Sequence, residues 1–413
     1  MQNLIVDQLR PRAAAVVDVR PRPSGASLAL LVLQPTNFCN IDCAYCYLAD
    51  RISKNMMSFD TAVAIARCIV DHRDQLAQKL VLAWHAGEPL TVGYDRMAAY
   101  FEAFSLLDEY GIRYQHSVQT NAMLMTPRFA ELFARNGTKI GVSVDGTQAQ
   151  HDLHRRTRSG AGTYAKVAHG IGVLREFGIV PSAISVVHGG TFADPDSYYD
   201  AIAELGIPYV GINVLELEGA SKSSYLADET YMLRYRHFLE RIYRRSLSDG
   251  AVAIRELVRA LKWVMQSAQS AQSSEALPGR ILTVAYNGDF SSFSPELVDH
   301  KAAGMGDFII GNVHETSFTR ALEAQNDLRF AADIVEGVAA CRATCAYFDV
   351  CGGGAPANKL SEKGTFASSE TAFCRYTIQA VLDVALGMIV AEPDLLRQAA
   401  ATPWWRLVQD EPN

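Results

Sequence analysis

The opening residues, MQNLIVDQLRPR, lack the long apolar h-region expected of a signal peptide. No apolar run is expected to reach the length of a membrane span. Together these absences predict a cytoplasmic protein with no membrane partner. An excess of positive charge is lacking too. The formal net charge is −7, which argues against a nucleic-acid partner, since phosphate binding needs a basic surface. One basic stretch, HDLHRRTR at 151–158, departs from this, and a solvated loop would explain it equally well. A fourth thiol is also missing where one would be wanted. Cys39, Cys43 and Cys46 form a Cys-x3-Cys-x2-Cys array inside QPTNFCNIDCAYCYLADR, whereas a closed structural zinc site takes four ligands.

What is present fits a globular enzyme. The chain has 413 residues, enough for two or three units, with 49% hydrophobic and 20% charged residues. Eight cysteines in a reducing compartment read as metal or catalytic groups rather than disulfides. Cys68 sits in a helical pattern and reads as a buried, inert thiol.

Short β-branched runs alternate with helical patterns. Strands are expected at 28–34, 80–85, 115–119, 139–144, 180–187 and 209–215, with helices near 59–78, 94–110, 126–136, 163–177 and 195–205. Ser58, Thr126 and Asp194 are expected N-caps. Strand-helix repetition implies a parallel sheet with right-handed crossovers, and six strands are too few to close an eight-stranded barrel. The fold expected is α/β, a partial (β/α)6 barrel resembling the TIM type, with its chemistry at the carboxyl ends of the strands. Helices follow at 228–247 and 251–266, then a polar linker at 267–279 and a hairpin at 280–293 turning at Asn287-Gly288. The boundaries read as an extension at 1–26, the barrel at 27–225, a connector at 226–279, a cysteine-bearing domain at 280–380 and a tail at 381–413.

The three-cysteine array follows the first strand. A [4Fe–4S] cluster takes one thiolate per iron, so three thiolates leave one iron open to a non-protein ligand. With Tyr45 before its last cysteine, the array resembles that of the radical S-adenosylmethionine (radical SAM) enzymes. In that family SAM chelates the open iron, and the cluster's electron cleaves it to a 5′-deoxyadenosyl radical. The resemblance implies SAM contacts strand by strand. Tyr45 would meet the adenine. Ala86, Gly87, Glu88 and Pro89 of HAGEP stand where the family has Gly-Gly-Glu-Pro. The glycine-to-alanine departure at Ala86 matters if the position needs positive φ. Gln119, Thr120 and Asn121 follow strand three, and Ser143 and Asp145 of SVDG are ribose or carboxylate candidates. Arg155 of HDLHR would pair with the SAM carboxylate.

Cys341, Cys345, Cys351 and Cys374 resemble the SPASM domain, the auxiliary-cluster extension of peptide-modifying radical SAM enzymes. Ala355 and Phe293 stand where that domain has cysteines of its first auxiliary cluster. The resemblance therefore implies one auxiliary [4Fe–4S] cluster held by the four remaining cysteines; tetrahedral zinc is the alternative. Gly352 to Gly354 would aim backbone amides at cluster sulfurs or simply form a turn. The ensemble looks most like the maturases of glycine-rich-repeat peptides, which join an aromatic ring carbon to the β-carbon of a nearby residue as a cyclophane. The resemblance implies a ribosomally made precursor peptide as substrate and an external electron donor such as flavodoxin or ferredoxin. The retained auxiliary cluster would be an electron acceptor or a structural element. Formylglycine formation of the anaerobic sulfatase-maturase type and a catalytically silent Fe–S peptide scaffold are the other readings. Asp289, His300 and His85 are unranked acid–base candidates, and leader binding is expected from the 228–266 helices or a partner.

Overall fold

The computed structural model describes residues 27–217, 221, 225–265, 273–302, 305–325 and 328–410. The expected extension at 1–26, and the expected linker as far as residue 272, lie outside the described residues. The strands are β1 (Leu28–Leu33), β2 (Leu76–Trp84), β3 (Tyr114–Thr120), β4 (Lys139–Ser143), β5 (Ser182–Val187), β6 (Tyr209–Val214) and β7 (Ala253–Ile254). After these come β8 (Ile281–Val284), β9 (Asp289–Ser292), β10 (Lys301–Ala302), β11 (Gly306–Asp307) and β12 (Gly311–Asn312). Among the described residues they build a ten-stranded sheet in the order β12-β9-β8-β1-β2-β3-β4-β5-β6-β7, with β10 and β11 a separate ribbon. All pairs from β8 through β1 to β7 are parallel, while β8–β9 and β9–β12 are antiparallel. The sheet stays open, and both edges end in two-residue strands, which offer little backbone to a stray partner.

The six expected strands are the centre of this sheet, but it is wider than six. Asn287-Gly288 makes the expected turn, and β8 then adds in register to β1, with Leu31 opposite Leu282. Short β7 pairs with β6 between two helices. The expected helix at 59–78 stops at Asp71, where a 3-10 turn at Arg73–Gln75 leads into a strand starting at Leu76. The first half of that strand is partly exposed and breaks register with β1 near Leu28, so its alternation is hidden in the sequence. The 94–110 helix breaks at Ser105. Ser58, Thr126 and Asp194 all cap as expected, accepting from Thr61, Phe129 and Ser197 backbone N–H groups.

Alternation along the strands separates core from lumen. Leu31, Leu33, Leu80, Leu82, Trp84, Val118, Ile140, Val142, Val210 and Ile212 join the main apolar core behind the sheet. Their strand neighbours (Val32, Ala83, Ser117, Gln119, Gly141, Ser143, Gly211 and Asn213) must project to the other, concave face. That face is small and polar. A sequence of this kind makes a hollow rather than a second core.

One expectation needs correction. The helical run Ala372–Ala391 has the length and mean hydropathy of a membrane span, by composition alone, with a third of it buried within the fold. Arg375 and Asp383 interrupt the run and mask it in the sequence. It packs against the helices Glu229–Asp249 and Arg255–Met265.

Candidate functional site

The cysteine loop leaves β1 and crosses the carboxyl ends of the neighbouring strands. Gly87, at φ 57°, makes the crossing possible. A Cβ there would meet the Thr36 and Phe38 carbonyl oxygens at 2.6 and 2.7 Å, and Glu88 N–H donates to the Phe38 carbonyl at 2.8 Å. Its neighbour Ala86 also has positive φ, 68°, so the position where the family resemblance expects glycine does carry the strained backbone.

On its other side the loop is sewn to the basic stretch. Asp42 N–H donates to the Arg156 carbonyl, Ala44 N–H to His154, and Arg158 Nη2 to the Cys39 carbonyl at 3.0 Å. The run HDLHRRTR is therefore a brace for the cysteine loop, with His151 and Arg155 buried. Cys43 and Cys46 stand close enough to Cys39 to raise its pKa, and Cys46 likewise raises that of Cys43. Burial, as the main cause, pushes Cys39 up to about 12 and Cys43 to about 11. Two thiols this costly to ionise alone are suited to a cationic partner such as iron, and the donor set of Cys39, Cys43 and Cys46 fits a cluster with an open corner.

Asp145 organises the opposite wall. It is fully buried and accepts from Arg155 Nε at 2.9 Å, Arg155 Nη2 at 3.1 Å, Val186 N–H at 2.9 Å and the Tyr45 hydroxyl. A carboxylate has about four acceptor positions, and all are used. Where the resemblance implied a ribose or carboxylate contact, the Asp145 carboxylate fixes Arg155 and Tyr45. Desolvation opposes its charge, yet the Arg155 guanidinium holds its carboxyl below the usual range. Arg155 Nη1 is left 4.0 Å from Cys43 Sγ, and the guanidinium lies 5.4 Å from the Tyr45 ring.

Glu88 is also more than a backbone contact. Its buried carboxylate accepts from Thr120 Oγ1 at 2.7 Å, Asn121 N–H at 2.7 Å and Leu90 N–H at 3.0 Å, tying the ends of β2 and β3 together. Pro89 starts the 3-10 turn that follows. Asn121 Nδ2 then reaches Asn40 Oδ1 at 2.8 Å and lies 3.9 Å from Cys39 Sγ. Gln119 Nε2 donates to Ser143 Oγ at 3.0 Å across the lumen face, where Gly141 leaves room for its amide. Gln34, just past β1, is 1% exposed, and both its amide atoms lack a partner among the described residues. An orphaned amide at a lumen wall is what a polar ligand would complete.

The acid–base candidates separate. His85 follows Trp84 onto the lumen side, and burial lowers its pKa to about 4, so it is neutral near pH 7. Asp289 is held in the hairpin by Asn287 and Asn312, at 2.6 and 2.8 Å. His300 stacks on Phe308 with centroids 6.0 Å apart. Sequence reasoning missed three carboxylates that arrive from separate segments, Glu216 after β6, Glu275 before β8 and Glu296 after β9. Burial pushes Glu216 up to about 8 and Glu296 to about 7, each further raised by Glu275. Asn358 donates to Glu216. No local motif announces them, because only the fold brings them together.

Cys341, Cys345, Cys351 and Cys374 line one pocket with Lys359. Among the described residues, in either cysteine group or elsewhere, no three His, Cys, Asp or Glu side chains are gathered closely enough to hold a single metal ion. Around Phe293, where the resemblance implied a cysteine, the interior is apolar. Phe293, in the left-handed region at φ 72°, packs with Phe308, Phe330 and Phe366 in a second core.

Residues 33–205 match the profile of the radical SAM superfamily. The chain is 35% identical to the uncharacterized protein sll1766 of Synechocystis sp., over 93% of this chain and 98% of that one. It is 26% identical to the serine-type anaerobic sulfatase-maturating enzyme of Klebsiella aerogenes, over 78% of this chain and 77% of the relative. The solved structure of native anSMEcpe with bound AdoMet and Cp18Cys peptide superposes with a TM-score of 0.70 at 18% identity, covering 88% of this chain and 98% of that one. That likeness establishes the fold.

Proposed function

Residues 33–205 match the radical SAM superfamily, and from that premise we propose that the chain crosslinks a ribosomally made precursor peptide, joining an aromatic ring carbon to the β-carbon of a nearby residue. When bound at Cys39, Cys43 and Cys46, the cluster and SAM would supply a 5′-deoxyadenosyl radical able to take the β-hydrogen. The protein's own part is positional. Gly87 and the 151–158 brace hold the cysteine loop over the lumen, and Asp145 fixes Arg155 and Tyr45 beside Cys43. Gln119, Ser143 and Asn121 present polar groups where SAM would lie. His85, neutral and on the lumen side, is the favoured acceptor for the proton that the ring must lose, and the electron lost with it would pass to an auxiliary cluster held by Cys341, Cys345, Cys351 and Cys374.

The anSMEcpe structure holds AdoMet together with a peptide, which supports a peptide as substrate here. The observation that carries the cyclophane reading over formylglycine formation is the second apolar core. Phe293, at a position where the sulfatase-maturase pattern has a cysteine of its first auxiliary cluster, packs instead among aromatic neighbours, which supports the loss of that cluster. An external low-potential donor would supply the electron for SAM cleavage.

A ring-deuterated substrate tests this. A crosslink to a ring carbon must expel one ring deuterium per modification, whereas formylglycine formation leaves the ring intact. Retention of every ring deuterium in a modified product would falsify the reading.

A further inference from the structure

Beside the four C-terminal cysteines lies a buried cation. Lys359, on the helix Pro356–Lys363, is 4% exposed. Its ammonium donates to the Gly337 carbonyl at 2.9 Å and to Cys341 Sγ at 3.4 Å. Gly337 and Cys341 lie four residues apart on one face of the helix Arg329–Thr344, so a single ammonium spans both. Glycine is required at 337: a Cβ there would stand 3.1 Å from Lys359 Nζ and 2.0 Å from the Phe366 carbonyl oxygen. The site is thus built on three segments, with glycine making room for a charge.

A buried ammonium is costly unless an anion answers it. The described hydrogen-bond partners of Lys359 are a neutral carbonyl and a thiol sulfur, and it lines the cavity that the four cysteines share. Thiolates ligating iron would supply the missing negative charge. We propose that Lys359 is the charge partner of an auxiliary iron–sulfur cluster, holding Cys341 for iron and raising the cluster's reduction potential. The proposal rests on reading those four cysteines as a cluster site. The sign follows from Coulomb's law: reduction adds negative charge next to a fixed cation, so the reduced form gains more than the oxidised one. In a water-poor setting that gain is large, because little solvent screens it. Such a bias suits an electron-accepting role better than a purely structural one. Lys359 is a positioning residue, acting through Cys341.

The test uses the full chain, reconstituted anaerobically, with Cys39, Cys43 and Cys46 replaced by alanine so that only auxiliary iron is seen. Iron is counted, and the potential is read by redox titration with electron paramagnetic resonance. This parent should hold about four irons. Lys359→Met and Lys359→Gln, the latter keeping a donor for the Gly337 carbonyl, should shift the oxidised-to-reduced ratio at least tenfold toward oxidised, or about 59 mV for one electron. Lys359→Arg should stay within threefold. Neutral variants that lose iron while the arginine variant keeps it would support the same charge role. A parent without iron overturns the cluster reading and the proposal together. A parent with about four irons whose neutral variants keep both iron and potential overturns the proposal alone, as does an arginine variant that behaves like the neutral ones.

Discussion

Single residues at this site carry backbone strain that their sequence context only half announces. Ala86 has φ 68° where an L-residue is disfavoured by roughly 1–2 kcal/mol. Glycine there would relieve that strain but loosen the unfolded chain by about 0.4–1 kcal/mol. Ala86→Gly should therefore stabilise the protein by about 0.5–1 kcal/mol in chemical denaturation; a loss of stability would show that the Ala86 methyl makes packing contacts worth more than the strain. Asp145→Asn is the opposite case. It would leave Arg155, itself 7% exposed, without its anion, and removing one partner of a buried pair costs about 3–5 kcal/mol. Unfolding should move accordingly, and SAM binding should weaken because Tyr45 and Arg155 lose their anchor. The role of Asp145 was not legible from SVDG alone. The motif identifies the position, but saturation of its carboxylate depends on Val186 and Tyr45, which arrive from elsewhere.

At the scale of elements, strands β3 and β5 could be read because burial on one face imposes a period of two. The start of β2 could not, since its first half is partly exposed and out of register with β1. The hairpin was legible from Asn287-Gly288, but its addition to β1 was not, because strand order leaves no local trace. The same holds for the carboxylates at the ends of these elements. Glu216 has a folded pKa of about 8 against an ordinary 4.5, chiefly from burial. A carboxyl with a raised folded pKa favours the folded state while protonated, so its contribution is full below pH 4.5 and is lost as pH rises through 8. Glu216→Gln should thus add more stability at pH 8 than at pH 6, measured by denaturant unfolding under anaerobic conditions. An equal effect at both values would contradict a buried, raised carboxyl.

Across the whole molecule, two groups of cysteines share one fold, and iron counting reads both. Ligands for two cubanes predict about eight irons per reconstituted chain, and alanine at Cys341, Cys345 and Cys351 should halve that. Restoring a cysteine as Phe293→Cys should not raise the count to about twelve, because Phe308, Phe330 and Phe366 pack around that position. Instead it should destabilise the chain by roughly 3 kcal/mol or more through the cavity left by the lost ring. Stoichiometric zinc at the C-terminal cysteines would contradict this arrangement.

The most direct test of the central claim is tandem mass spectrometry of a precursor peptide from a neighbouring reading frame after anaerobic reaction with SAM and reductant. Both candidate chemistries remove two hydrogens, so fragmentation and reactivity must decide. The account predicts a product that resists backbone cleavage between the linked residues and does not react with hydrazine. A product that fragments at every bond and captures hydrazine would contradict it.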